Sequence, residues 1–301
     1  MFSKNDFQYL TAVPAAAPGR FSGVHPPRSS GIGKNRPNLI QSPGGNAMTE
    51  SPLIYRPPEG SPDILFRKDG IIVAVKPAGL LTVPGQRERD SLTTRMKKIS
   101  PEANPVHRLD LATSGIVLFA ENRETAAALT QAFRERHPLK IYVSWVSGII
   151  RNDFMAMDYP LAKDMERSAI LSAPVQKTDY VSGKPALTFC RVIKREYPED
   201  AAEVPGPRGR TLVFLYPETG RTHQLRAHLR EAGHPIIGDR IYGKPDSARE
   251  QENSRGLPDR LLLHAALLRF RDPGAGTAIT CLSIPDFPGI PDLQRIMLSG
   301  L

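Results

Sequence analysis

Strand-forming segments dominate this chain, and they follow one another without the regular strand–helix alternation that a parallel sheet requires. Runs rich in β-branched or aromatic residues occur at Ile71–Val75, Gly115–Ala120, Lys140–Ser147, Ala186–Ile193, Thr211–Tyr216 and Ala278–Ile284. Only two helices stand out. One follows Asn122, a residue suited to an N-cap, and carries Ala126, Leu129 and Phe133 at helical spacing. The other runs from near Thr222 to Gly233, a residue suited to a helix C-terminus. Polar stretches at 195–210 and 245–260 read as surface loops. The expectation is an α+β protein with one domain, over residues 53–301, on a mixed, largely antiparallel sheet.

Residues 1–52 are different in kind. They are rich in Pro, Gly, Ser and Asn, show neither helical nor strand period, and read as disordered. Basic residues (Lys4, Arg20, Arg28, Lys34, Arg36) outweigh the acids Asp6 and Glu50, a balance shared with organelle transit peptides, but no amphipathic arginine-bearing helix accompanies it. A further reading makes the segment a non-native extension, with Met48 as the true start.

Composition excludes several function classes. The longest apolar runs, such as Ile71–Val75, are far too short to span a bilayer. Two cysteines, Cys190 and Cys281, each sit alone in an apolar segment, which offers no disulfide framework and no cysteine metal site. They read as buried thiols in a reducing compartment, here the cytoplasm. The net charge of +9 calls for an anionic partner or serves solubility, with nucleic acid and an anionic membrane surface as the partner candidates.

Two clusters carry the chemistry. In His107-Arg108-Leu109-Asp110-Leu111-Ala112-Thr113-Ser114-Gly115, a loop places Arg108 and Asp110 just before a buried strand. In extended backbone, alternate side chains need not pair with each other, and a surface arginine beside a turn aspartate is the plain structural alternative. The second cluster is Thr219-Gly220-Arg221-Thr222-His223-Gln224-Leu225-Arg226-Ala227-His228-Leu229. On a helix, Leu225, Leu229 and Ala232 face the core, while His223, Arg226 and Arg230 form a neighbouring stripe that reads plainly as a solvated basic side. His223 and His228 are five apart, off the spacing of a helical metal pair, and no Cys or carboxylate cluster completes a site, so no metal is expected. His107 to Asp110 also departs from the kinase catalytic loop, where Asp directly follows Arg, and no phosphate-binding glycine loop precedes it.

Taken together these blocks resemble the RluA-type family of RNA pseudouridine synthases. Matching segments recur in family order: Lys76–Leu80, His107–Gly115, Lys140–Val143, Thr178–Pro185, Gly220–Arg226, Gly238–Gly243 and Leu262–Ala265. They span about residues 64–288 and look most like the short branch of the family, which lacks an S4 RNA-binding domain. The family's Lys-Pro block is usually preceded by Asn or Asp, whereas Val75 stands there here, a departure confined to a structural turn. The resemblance implies an isomerase that needs no cofactor and converts uridines in stem–loops of tRNA, large-subunit rRNA or both. It implies that Asp110 is catalytic, that Arg108 enters the RNA stack where the target nucleotide leaves, that Tyr142 stacks on the flipped base, and that Arg226 pairs with the catalytic carboxylate. No membrane and no obligate protein partner are expected. The rivals are an inactive RNA-binding protein of the same fold and a metal-dependent hydrolase using the histidines.

Overall fold

The computed structural model describes residues 55–197, 209–243 and 253–298. The segment 1–52 and parts of both polar stretches lie outside the described residues. In chain order the strands are β1 (Asp63–Lys68), β2 (Ile71–Lys76), β3 (Asn104–Pro105), β4 (Ser114–Ala120), β5 (Leu139–Ser147) and β6 (Phe154–Asp158). Then follow β7 (Leu161–Lys163), β8 (Gln176–Thr178), β9 (Leu187–Glu196), β10 (Arg210–Pro217), β11 (Leu263–Arg271) and β12 (Ala278–Leu282). The helices are α1 (Leu92–Lys97), α2 (Arg123–Arg134), α3 (Met165–Ile170), α4 (Gln224–Glu231) and α5 (Leu293–Leu298).

One long sheet runs in the order β1-β2-β4-β11-β5-β10-β9-β6, with β3 added to β4 and β12 to β11. Every described pairing is antiparallel except β4 with β11, so the sheet is mixed and largely antiparallel, as expected. β7 and β8 form a separate two-stranded sheet. All six expected strands are present within a few residues of their expected ends. Six more were not foreseen: β3, β7 and β8, each only two or three residues long, and β1, β6 and β11. β1 and β6 are half-exposed strands with weak apolar patterning, and β11 is buried on both faces, so its sequence LHAALLRFR shows no alternation.

Both faces of the sheet are covered. In β5 and β10 alternate residues serve opposite sides: Ile141, Val143, Trp145, Leu212 and Phe214 enter one apolar cluster, Val146, Val213 and Leu215 another. Over β2 and β4 the same period puts Ile72, Ala74, Val117 and Phe119 on α1, and Ile71, Val73, Ile116 and Leu118 on α2 through Leu129. α1 starts with a capping box between Ser91 and Thr94, and α2 with Asn122 accepting from the Thr125 amide at 2.8 Å. Tyr142 on β5 packs on two clusters at once, one containing Leu109 and α1, the other α4. It therefore marks the seam between the halves of the sheet, and the Asp110 loop lies across that seam.

Candidate active site

The loop before β4 is held on both sides of Asp110. Leu109 is buried, and its backbone amide and carbonyl both bond to the Thr82 hydroxyl, at 3.1 and 2.8 Å. The Leu111 carbonyl accepts from the Gly79 amide at 2.9 Å and from Lys76 Nζ at 3.1 Å. Asp110 sits between two pinned neighbours, its side chain 29% exposed. His107 fixes the loop's start by accepting from the Leu118 amide at 3.1 Å and stacking on Phe133. Burial pushes the His107 pKa down to about 3, so the ring is neutral and free to accept. Arg108 is exposed and makes no ion pair with Asp110.

Lys76 ends β2 with no exposed surface, its ammonium donating to the carbonyls of Pro77, Leu80 and Leu111. Burial lowers its pKa to about 7, against an opposing pull from the charge of Asp110. The Lys76-Pro77 turn thus borders the site. Burial also raises the pKa of the Tyr142 phenol, with the Asp110 charge acting in the same direction, so the hydroxyl stays protonated.

α4 supplies the facing wall. Its first turn is stitched by Gln224, whose Oε1 accepts from the Arg221 amide and the Thr219 hydroxyl while Nε2 donates to Leu187 O and Thr188 Oγ1. His223 precedes the helix with φ +51°, a left-handed conformation costing on the order of 1–3 kcal/mol for a non-glycine residue. That backbone sets the imidazole between Tyr242, with Nδ1 3.2 Å from the phenol oxygen, and Asp110, with Nε2 3.8 Å from Oδ2. Burial lowers the His223 pKa, and Asp110 opposes the shift.

Arg226 lies buried in the first turn of α4. It donates in bidentate fashion to Asp239, from Nε at 2.8 Å and from Nη2 at 2.7 Å. The remaining nitrogen, Nη1, stands 3.9 Å from Asp110 Oδ2, an ion pair through space but too long for a hydrogen bond. Burial disfavours the guanidinium charge; hydrogen bonds and charge from Asp239, then Asp110, outweigh it and raise the pKa. Asp239 is itself orientated by the amides of Ile241 and Tyr242, and the Tyr242 ring lies under the guanidinium at 5.1 Å.

Asp110, Arg226 and Tyr142 therefore gather at one seam, with Arg108 on the exposed side of the loop. The solvated basic side expected of the second helix is not found. His223, Arg226 and His228 are buried, and only Arg230 of the stripe is exposed, because other elements offer partners. His228 bonds to Thr188 Oγ1 and Tyr159 O, both at 3.0 Å, away from His223. Asp239, Tyr242 and His223 went unassigned in the sequence, although the first two stand in the Gly238–Gly243 block and carried that signal. Among the described residues no three His, Cys, Asp or Glu side chains gather as a metal set, and no helix is long and apolar enough to cross a membrane.

A family model described as RNA pseudouridylate synthase matches residues 70–231. The dual-specificity RNA pseudouridine synthase RluA of Escherichia coli (strain K12) is 40% identical over 236 residues, covering 77% of this chain and 98% of that protein. Its namesake from Vibrio vulnificus (strain CMCP6) is 38% identical over 251 residues, 82% of this chain and 92% of that one. Among solved structures, human RNA pseudouridylate synthase domain containing 1 shares the fold with a TM-score of 0.64 at 24% identity, over 81% of this chain and 97% of its own. By these matches the chain belongs to the RNA pseudouridylate synthase family, in its RluA-type branch, and is an isomerase acting on RNA.

Proposed function

We propose that this enzyme isomerises uridines in stem–loops of transfer RNA, large-subunit ribosomal RNA or both, that Asp110 carries the chemistry, and that the reaction takes place in the cytoplasm without an obligate protein partner. The observation that supports Asp110 most is the contrast between the two carboxylates on Arg226. Asp239 has no exposed side-chain surface and is held by the bidentate pair, whereas Asp110 keeps 29% of its side chain open to an incoming nucleotide. Isomerisation detaches uracil from C1′, turns it and rejoins it through carbon, so a carboxylate that attacks or takes a proton suffices and no oxidant enters. Either route demands a carboxylate fixed at the seam, which the bonds on Leu109 and Leu111 provide.

A stacked uracil cannot reach Asp110, so the nucleotide has to leave the stack at a cost of a few kcal/mol. In this reading exposed Arg108 holds the vacated space and the Tyr142 ring covers the base, a contact worth about 1–3 kcal/mol. Arg226, locked by Asp239, orients Asp110 and keeps positive charge beside it. Loops are favoured as substrates because their bases are already partly unstacked. The relatives are named as having dual specificity, which fits more than one RNA class.

Asp110→Asn keeps the side-chain shape but removes the nucleophile or base; turnover is expected to vanish with RNA affinity and melting temperature near wild type. Comparable conversion of uridine by the purified variant would exclude Asp110. Arg226→Ala is expected to lose activity as well. For substrate, a minimal anticodon stem–loop transcript should be converted without any added protein. Failure on every isolated stem–loop, with activity on intact ribosomal subunits, would overturn the stem–loop reading and leave the reaction class standing.

A further inference from the structure

The turn after β8 carries apolar surface that none of the described residues covers. Val181 is 99% exposed and Tyr180 72% exposed, the largest values among the exposed large hydrophobics of the described residues apart from Ile170. The turn is nonetheless rigidly built. Asp179 Oδ1 accepts from the amides of Val181 and Ser182, both at 2.9 Å, and Oδ2 accepts from the Ser182 hydroxyl at 2.7 Å. The Asp179 amide donates to Pro160 O, the Gly183 amide returns to Asp179 O, and Lys184 and Leu161 exchange both backbone bonds, closing the loop on β7. A side chain at Gly183 would run into the backbone of Asp179 and Pro160. Hydrogen bonds from Ser182 first, then Val181, hold the Asp179 pKa down to about 2, so the turn keeps its shape at any ordinary pH.

This projection stands on the wall of the Asp110 site. The Gln176 amide on β8 donates to the Tyr242 hydroxyl at 2.8 Å, and that hydroxyl is 3.2 Å from His223 Nδ1. Arg167 on α3 donates to Ile241 O at 2.6 Å, and Arg221 donates to Pro185 O just beyond the turn. Lys177 and Lys184, both exposed, flank the tip on either side.

We infer that the Tyr180–Val181 turn is a preformed nucleobase contact for the RNA substrate: the Tyr180 ring stacks on an unpaired base beside the target loop, Val181 covers its edge, and Lys177 and Lys184 meet the flanking phosphates. The inference rests on the chain's activity on RNA. An exposed aromatic side chain between two lysines matches the alternation of flat apolar base and anionic phosphate along a single strand. Pre-organisation by Asp179 removes the ordering cost that a flexible loop would bring to binding. The turn has no part in the chemistry, so it acts on binding alone.

The test is a KM against kcat comparison on a transcript spanning a uridine that the wild-type enzyme converts. Tyr180→Ala is expected to raise KM roughly tenfold with kcat within about twofold, the size of one lost stacking contact. Tyr180→Phe is expected to restore KM, and both variants should melt with the wild type, since the side chain is exposed. An unchanged KM in Tyr180→Ala, or a loss in Tyr180→Phe equal to that in Tyr180→Ala, would overturn the stacking contact. A wild-type enzyme converting no RNA would instead remove the activity beneath it, a failure visible before any variant is compared.

Discussion

At the residue scale the site is organised by a buried arginine with two acidic neighbours at unequal distance. Asp239 takes two nitrogens of Arg226 at 2.7 and 2.8 Å, and Asp110 faces the third at 3.9 Å. Asp239→Asn leaves a buried guanidinium without its main counter-charge, a change expected to cost roughly 3–5 kcal/mol. For a protein of this size that lowers the melting temperature by about 10 °C, and calorimetry of the purified variant checks it. Arg226 was read in the sequence as one of a basic stripe and, by resemblance, as the partner of Asp110, since Asp239 lies thirteen positions further on, across a helix end and a turn that sequence spacing does not fold. Lys76 makes a second residue-scale prediction. Its pKa is about 7 in the fold against 10.5 for an ordinary lysine, so above pH 7 the unfolded chain binds the extra proton and stability rises with pH. The gain should run from pH 7 to about 9, where the raised pKa of Cys190 begins to oppose it. Lys140, also lowered by burial, contributes in the same direction, so the comparison is by difference: the slope should be shallower in Lys76→Met than in wild type. Equal slopes in chemical denaturation would show that the Lys76 proton is not linked to folding.

At the element scale the parallel contact between β4 and β11 decides where the Asp110 loop ends. Ser114 pairs with His264 and Gly115 with Ala265, and the Ser114 hydroxyl lies 2.9 Å from His264 Nδ1 while the other ring nitrogen reaches Ser283. Gly115 has φ +116°, and a side chain there would meet the Ala265 backbone directly. Gly115→Ala is therefore expected to part the two strands, lower the melting temperature and abolish turnover; a variant with wild-type melting and rate would show that the backbone yields cheaply. The glycine was visible in the sequence as the end of the Asp110 cluster, but its reason was not. β11 had been seen only through the block Leu262–Ala265, and a strand buried on both faces carries no period of two to reveal it. The α4 helix was placed within two residues, from near Thr222 against Gln224, because Leu225 and Leu229 repeat at helical spacing. The burial of its basic residues was not legible, because Thr188, Tyr159 and Asp239 reach them from other elements.

At the scale of the whole molecule, the described residues from Arg56 onward belong to one unit, and its sheet holds the site between its two halves. A protein starting at Met48 is expected to be soluble and to turn over RNA at the wild-type rate, since residues 1–47 have too little apolar periodicity to contribute to a core. Aggregation, or much weaker RNA binding at equal salt, would show that the segment takes part.

The chain's own sequence determined its class and its principal strands, because β-branched runs and helical spacing are local signals, while Asp110, Tyr142 and Arg226 were picked out by the blocks that resemble the RluA-type family. Only the tertiary structure decided which charges meet. It put Asp239 on Arg226, His223 beside Asp110, the Lys76 ammonium beneath Leu111, and Tyr180 outward on a fixed turn. Those contacts join residues far apart along the chain, and each depends on burial and on electrostatics acting over a few ångströms, quantities set by the packing of the sheet and not by neighbours in sequence.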